Sequence, residues 1–149
     1  MKKFIIILFF IGNTFALPLK FDNKTLNIEA EEVEILQNNQ QIIFKDNVKV
    51  KNDDFKLNAD NMVVFYDGKN EVKEINAKNN VKLFSKNVKI NSEEGLYEAK
   101  KNLITMSKNA NAIENGVNIS ADIFKYNTIT KKSNIESKRG EKIKIILYK

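Results

Sequence analysis

Between Ile42 and Asp60 the apolar residues step by two on either side of a short polar break, Val48 and Val50 leading across it to Phe55 and Leu57. A period of two belongs to a strand with one buried face, so the segment predicts a β-hairpin. The pattern returns twice: Val81 and Leu83 lead to Val88 and Ile90, and Ala110 and Ala112 lead to Val117 and Ile119. Each unit opens on an isoleucine (Ile42, Ile75, Ile104) and carries an asparagine at a constant offset (Asn47, Asn80, Asn109). Each closes on a small residue and an acid, Ala59-Asp60, Ser92-Glu93 and Ala121-Asp122, with Val64, Tyr97 and Tyr126 following in the same later slot. Ile28-Glu29-Ala30-Glu31, with Ile35, matches that ending alone and reads as an earlier half-unit. Repeats of about 30 residues cannot bury a face singly and stack on their neighbours. The prediction is an all-β protein, one antiparallel sheet of stacked hairpins.

The alternation changes phase after each small residue. Leu26, Ile28 and Ala30 are followed by Val33 and Ile35, Ala59 by Met62 and Val64, and Ala121 by Phe124 and Tyr126. An insertion that keeps the buried face buried is a bulge or corner. The small residue fits there, where strands cross closely. The polar pairs Asp46-Asn47, Asn79-Asn80 and Lys108-Asn109 stand before each ascending strand, and Asn tolerates a left-handed turn conformation better than most. Asp67-Gly68 and Asn115-Gly116 read as tight turns. The one stretch resembling a helix, residues 93–101, also fits the strand template. Ile143, Ile145 and Leu147, alternating with Lys142, Lys144 and Ile146, form a last strand, with Gly140 in the slot of a unit's asparagine. Strands at both ends with no covering helix predict two open sheet edges.

Residues 1–16 have the form of a secretory signal peptide: Lys2-Lys3, an apolar run from Phe4 to Ile11, and Thr14-Phe15-Ala16 before the cut. Residues 17–149 then form a single exported domain. An uncleaved membrane anchor is the alternative, although Asn13 and Lys20 interrupt the run well short of the roughly 20 apolar residues a span needs.

Composition narrows the chemistry. The 149 residues contain no Cys and no His, which removes thiol nucleophiles, His-based triads and the usual zinc ligand sets. The formal charge of +6 is carried almost wholly by Lys, Arg139 being the one arginine. Glu31-Glu32, Asp53-Asp54 and Glu93-Glu94 are strand neighbours that point to opposite faces, so they cannot share a substrate as acid and base. Tyr66, Tyr97 and Tyr126 read as wall residues, and Tyr148 has no sequence partner that would make it a catalyst. Phosphate loops and nucleophile elbows are missing. Basic charge with aromatics is compatible with nucleic-acid binding, but the lysines are spread along every unit and the chain is exported. No enzymatic activity and no cofactor are expected.

The predicted inner face carries Phe44, Val48, Val50, Phe55, Leu57, Val64, Val81, Leu83, Val88, Ile90, Met106, Val117, Ile119 and Phe124. Two readings follow: these residues fill a closed core, or the sheet folds over incompletely and leaves an apolar trough for lipid.

Phe44-Lys45-Asp46-Asn47-Val48-Lys49-Val50 and Phe55-Lys56-Leu57-Asn58-Ala59-Asp60-Asn61-Met62-Val63-Val64, with Asn118-Ile119-Ser120-Ala121-Asp122, Tyr126 and the strand closing at Leu147, resemble the signature of the OstA-like family of LptA-type proteins. The resemblance spans nearly the whole mature chain, on short and degenerate motifs. It implies an open, V-shaped antiparallel β-jellyroll in the periplasm that shields lipid A acyl chains of lipopolysaccharide, without catalysis. It further implies head-to-tail self-association into a bridge from an inner-membrane transport complex to an outer-membrane translocon. Carried onto this sequence, the inward residues above become acyl contacts. Leu26, Ile28 and Ala30 on the first strand, and Ile143, Ile145 and Leu147 on the last, become docking edges. The chain ends at its last strand, without the polar tail common in the family. A membrane-anchored family member that feeds the bridge, and a ligand-free structural β protein, are the competing readings.

Overall fold

The computed structural model describes residues 26–138 and 140–147; the predicted leader, Arg139 and Tyr148 lie outside them. Two short strands come first, β1 (Asn27–Glu29) and β2 (Glu32–Leu36). Three long hairpins follow: β3 (Gln41–Lys51) with β4 (Phe55–Tyr66), β5 (Val72–Ser85) with β6 (Val88–Glu98), and β7 (Leu103–Glu114) with β8 (Val117–Asn127). The described chain closes with β9 (Ser133–Glu136) and β10 (Lys144–Leu147). All pairings are antiparallel, in the order β1-β3-β4-β5-β6-β7-β8-β10. At one edge β1 and β2 share β3, and at the other β9 and β10 share β8. Among the described residues the two edges do not pair with each other, so the sheet is open.

Every long strand turns a corner halfway. Lys45 pairs with Asn61 and Val48 with Ala59, so β3 spends one residue more than β4 between the same two rungs. The same excess falls on β5 between Lys78 and Val81 and on β7 between Ser107 and Ala110. At each excess stands a pair with positive φ: Asp46 and Asn47 (62° and 49°), Asn79 and Asn80 (64° and 51°), and Lys108 and Asn109 (62° and 53°). Two consecutive left-handed residues swing the strand out of plane while returning the apolar side chains to the same face. The sequence flagged the asparagines; their predecessors, Lys108 included, adopt the same conformation.

The corners fold the sheet over. Ser85 at the end of β5 lies in the same row as Val117 at the start of β8, through Val88 and Glu114. Tyr126 is nine residues further along β8, about 30 Å on a flat strand. Yet Tyr126 Oη lies 3.2 Å from Ser85 Oγ. The half carrying the three hairpin turns, β1 and β10 (the hairpin half) therefore faces the half carrying β2 and β9 (the loop half), with one apolar cluster between them.

Three expectations gain detail. Asp67-Gly68 opens a tight turn, closed by the Asn70 N–H on the Asp67 carbonyl (2.9 Å); Asp67 Oδ1 also accepts the N–H groups of Lys69 and Glu71 (2.8 and 3.0 Å), and the left-handed residue is Asn70. These N–H groups, Glu71's foremost, hold the Asp67 carboxyl below its ordinary pKa. The side-chain capture adds to the main-chain bonds of the turn, across which β4 and β5 pair as an antiparallel hairpin. The last strand begins at Lys144, leaving Ile143 in the preceding connection. Residues 93–101 continue β6 to Glu98 and end in a 3-10 turn, Ala99–Lys101. Asn115-Gly116 also forms the expected turn, with φ of 50° and 79°.

Gly95 is a packing requirement that periodicity did not reveal. It faces inward just past the β6 corner, where a Cβ would lie 3.0 Å from Val81 Cγ1 and 3.3 Å from Met106 Sδ. Even one added carbon would require these neighbours on the adjacent strands β5 and β7 to shift by a few tenths of an ångström.

Candidate functional site

The inner walls are built by parity. Phe55 and Leu57 are buried while Lys56 is exposed and Asn58 half-buried, and the same alternation runs through Val48 and Val50, Val81 and Leu83, and Val88 and Ile90. Past the corners, Phe44, Val64, Met106 and Phe124 line the loop half. Of the fourteen residues expected on this face, only Val117 is half-buried; the others, Ile119 included, are 0–7% exposed. The walls are thus packed on one another over most of their length. Sequence reasoning left out Ile42, Met62, Ile75 and Ile104, all buried in the same cluster. Their parity matched Phe44, Val64, Ala77 and Met106, so the signal was present. Tyr66, Tyr97 and Tyr126 are wall residues as expected.

Burial declines toward the last strand. Ile145 pairs with Ile119 and Leu147 with Val117, which puts both on the inner face, but they are 54% and 72% exposed. Ile143 (38%) and the outward Ile146 add to the bare surface. At the opposite edge Ile28 pairs with Val50 and is fully buried, with Leu26 and Ala30 nearly so. What β1 presents outward is therefore its backbone edge, whereas β10 presents backbone and side chains.

A row of carboxylates follows the corners. The Asn47 amide donates to Glu31 Oε1 (2.7 Å), Asn80 to Asp60 Oδ2 (2.8 Å) and Asn109 to Glu93 Oε1 (2.7 Å). The repeated Asn and the repeated acid are thus partners across adjacent strands. Asp122, last in the row, has no asparagine beyond it. Its Oδ2 accepts the Lys138 backbone N–H (2.6 Å) and the Ser137 hydroxyl (3.3 Å). The Lys138 N–H in particular holds the Asp122 carboxyl below its ordinary pKa. Gly140, in the slot of the missing asparagine, keeps the positive φ (87°).

The doublets are likewise divided between partners. Glu32 takes Lys45 (3.0 Å) and Glu94 takes Lys108 (2.7 Å), while Glu31 and Glu93 take asparagines. The Glu32 carboxylate raises the Lys45 ammonium, and the Lys108 contact lowers Glu94 while raising Lys108.

Together these features define a class: an open, folded-over β-jellyroll of hairpin repeats with a continuous apolar lining. The chain belongs to the family of LptA and LptD N-terminal domain lipopolysaccharide transport proteins, whose model matches residues 27–132. Among solved structures it is similar to LptH from Pseudomonas aeruginosa, the LptA-homologous periplasmic component of the conserved lipopolysaccharide transport device. The TM-score is 0.76 at 13% identity, covering 87% of this chain and 99% of that one. No curated protein matches the chain.

Proposed function

We propose that this protein is a periplasmic, non-enzymatic carrier that holds the acyl chains of lipopolysaccharide between its two half-sheets and passes them along a bridge of copies joined edge to edge. One end of the bridge meets an inner-membrane transport complex and the other an outer-membrane translocon. The observation that carries the reading is the apolar inner wall, unbroken from β1 to β10 and bare at its last strand. Hydrating each methylene costs about 0.8 kcal/mol, so one twelve-carbon chain in water costs roughly 10 kcal/mol. A lipid with several chains crosses an aqueous gap only if shielded throughout. Adding β1 of one copy to β10 of another would continue the wall through main-chain hydrogen bonds and cover Ile145 and Leu147.

The bare side chains at β10 support an entry for acyl chains at that edge, from which the chains would advance inward by parting the packed walls. The test is photocrosslinking to lipid A from probes at Phe55 and Ile145, facing inward, against Lys56 and Ile146, facing outward. Adducts are expected at the inward pair, stronger at Ile145. Equal labelling at both parities overturns the reading.

A further inference from the structure

On the outer face of the hairpin half, turned away from the apolar interior, Lys49 and Lys51 of β3, Lys56 of β4, Lys82 of β5 and Lys89 of β6 are all exposed. Lys51 pairs with Lys56, Lys56 with Phe84 and Phe84 with Lys89, in one row across four strands. Lys49 and Lys82 flank Asn58 in the next row. The acid at an outward strand position is Glu29 of β1, opposite Lys49.

The loop half and the corners are different. The ion pairs of the described residues, Lys45 with Glu32 and Glu34, Lys101 with Glu98, Lys108 with Glu94 and Lys125 with Glu136, all lie there. None involves the five lysines of the hairpin half. Like charges directly across a strand pair weaken a sheet, and a face serving only solubility mixes signs as the loop half does. The half-buried Phe84 ring sits among the lysines, with Lys89 Nζ 5.6 Å from its centroid. Beside it a cleft of about 570 Å³ opens between two hairpin tips, lined by Lys51, Lys56, Lys86 and Phe84, with Asp53 and Asp54 also in its wall.

We propose that this outer face docks on the phosphate head groups of an anionic lipid bilayer. Neighbouring strands about 4.8 Å apart bring Lys51 and Lys56, and beyond Phe84 Lys89, onto one face in a single row. A partly exposed aromatic ring amid lysines suits the boundary between head groups and water, and each such lysine adds to binding at a negatively charged leaflet. Its positive charge, opposed at outward strand positions of this half only by Glu29 among the described residues, complements a negatively charged surface. It lies on the opposite side of the sheet from the acyl-binding walls, so the two surfaces act independently and a copy at the end of a bridge can rest on a membrane while its interior stays available.

The test is co-sedimentation of the mature chain with vesicles of phosphatidylcholine containing phosphatidylglycerol, against phosphatidylcholine alone, at low and at physiological salt. The triple variant Lys51→Glu, Lys56→Glu, Lys89→Glu is compared with the charge-matched Lys73→Glu, Lys100→Glu, Lys132→Glu on the loop half. Expected are binding to the anionic vesicles only, a loss on the order of a hundredfold in the first triple, and a loss of about twofold in the second. Retained crosslinking of lipid A at Phe55 in the first triple separates this surface from the interior. Equal losses in the two triples, equal binding to neutral vesicles, no binding to either vesicle, or equally tight binding of soluble polyphosphate would each overturn the proposal.

Discussion

The two edges of the sheet are made alike and end up unlike. Each consists of two short strands laid end to end along a long neighbour, and each sends alternating apolar side chains inward: Ile28 opposite Val50 on one, Ile145 opposite Ile119 on the other. Ile28 is fully buried and Ile145 is 54% exposed. The strand pattern is the same, so the difference lies in what stands across the fold. Parity decides which face a side chain takes; the opposing wall decides whether water is excluded. A row of bare inward residues at one edge and a filled wall at the other gives the molecule a direction, which the proposed end-to-end assembly would use.

The comparison predicts its own largest effect. Ile28→Ala removes a buried side chain between two walls and should cost about 2–5 kcal/mol, read as a fall in the urea midpoint with unchanged slope. Leu147→Ala should cost less than about 0.5 kcal/mol in the isolated chain, while weakening self-association in analytical ultracentrifugation. Similar destabilisation by both would mean that the last strand is covered in solution.

Much of this was legible from the chain. Inward and outward positions around Phe55-Lys56-Leu57 followed from the period of two, and the phase slips after Ala59 and Ala121 located the corners. The asparagines marked the left-handed turns because their side chains tolerate that region, but Lys108 carries no such signature and adopts it because its neighbours fix the corner. Degree of burial was not legible, since it depends on the opposing half, brought close by folding that no local pattern encodes. Gly95 was invisible for a related reason: its requirement comes from Val81 and Met106, set against it by pairing and the corner on adjacent strands.

Gly95 probes the packed centre between the edges. Gly95→Val places a branched side chain where even a Cβ meets Val81 at 3.0 Å, and should destabilise by about 1–3 kcal/mol through overpacking. Gly95→Ala should cost less, since a shift of a few tenths of an ångström accommodates one carbon. If valine were tolerated as well as alanine, the corner at β6 would be less tightly packed than the distances to Val81 and Met106 indicate.

The corners sharpen the contrast further. At the first edge Glu31 is held by the amide of Asn47, a residue of β3 itself. At the last, Asp122 is held by Ser137 and Lys138 in the connection between β9 and β10. Asn47→Ala loses an exposed hydrogen bond and the residue type best suited to φ of 49°, together about 1 kcal/mol. Asp122→Ala should leave the midpoint nearly unchanged but speed amide exchange at Lys138 and along β10, because that loop rather than the body of the sheet depends on it. Slower exchange at β10 than at β1 in the variant would contradict the assignment.

Acid gives the smallest and most local effect. The Lys138 N–H, followed by the charge of Lys138 and the Ser137 hydroxyl, depresses the Asp122 carboxyl. The folded state therefore binds this proton less readily than the unfolded one. The resulting stabilisation is fully present above the ordinary aspartate value near 4 and is lost as pH falls through the lower folded value. The group is half-buried at the surface and salt-screened, so global unfolding should barely register it. A titration of the Lys138 amide chemical shift should instead show an inflection below pH 4, with β10 exchange rising over the same window. In Asp122→Asn that inflection should disappear while the fold persists. An inflection above pH 4 would mean that the carboxylate is not held by the loop, and that the last edge depends on contacts outside the corner.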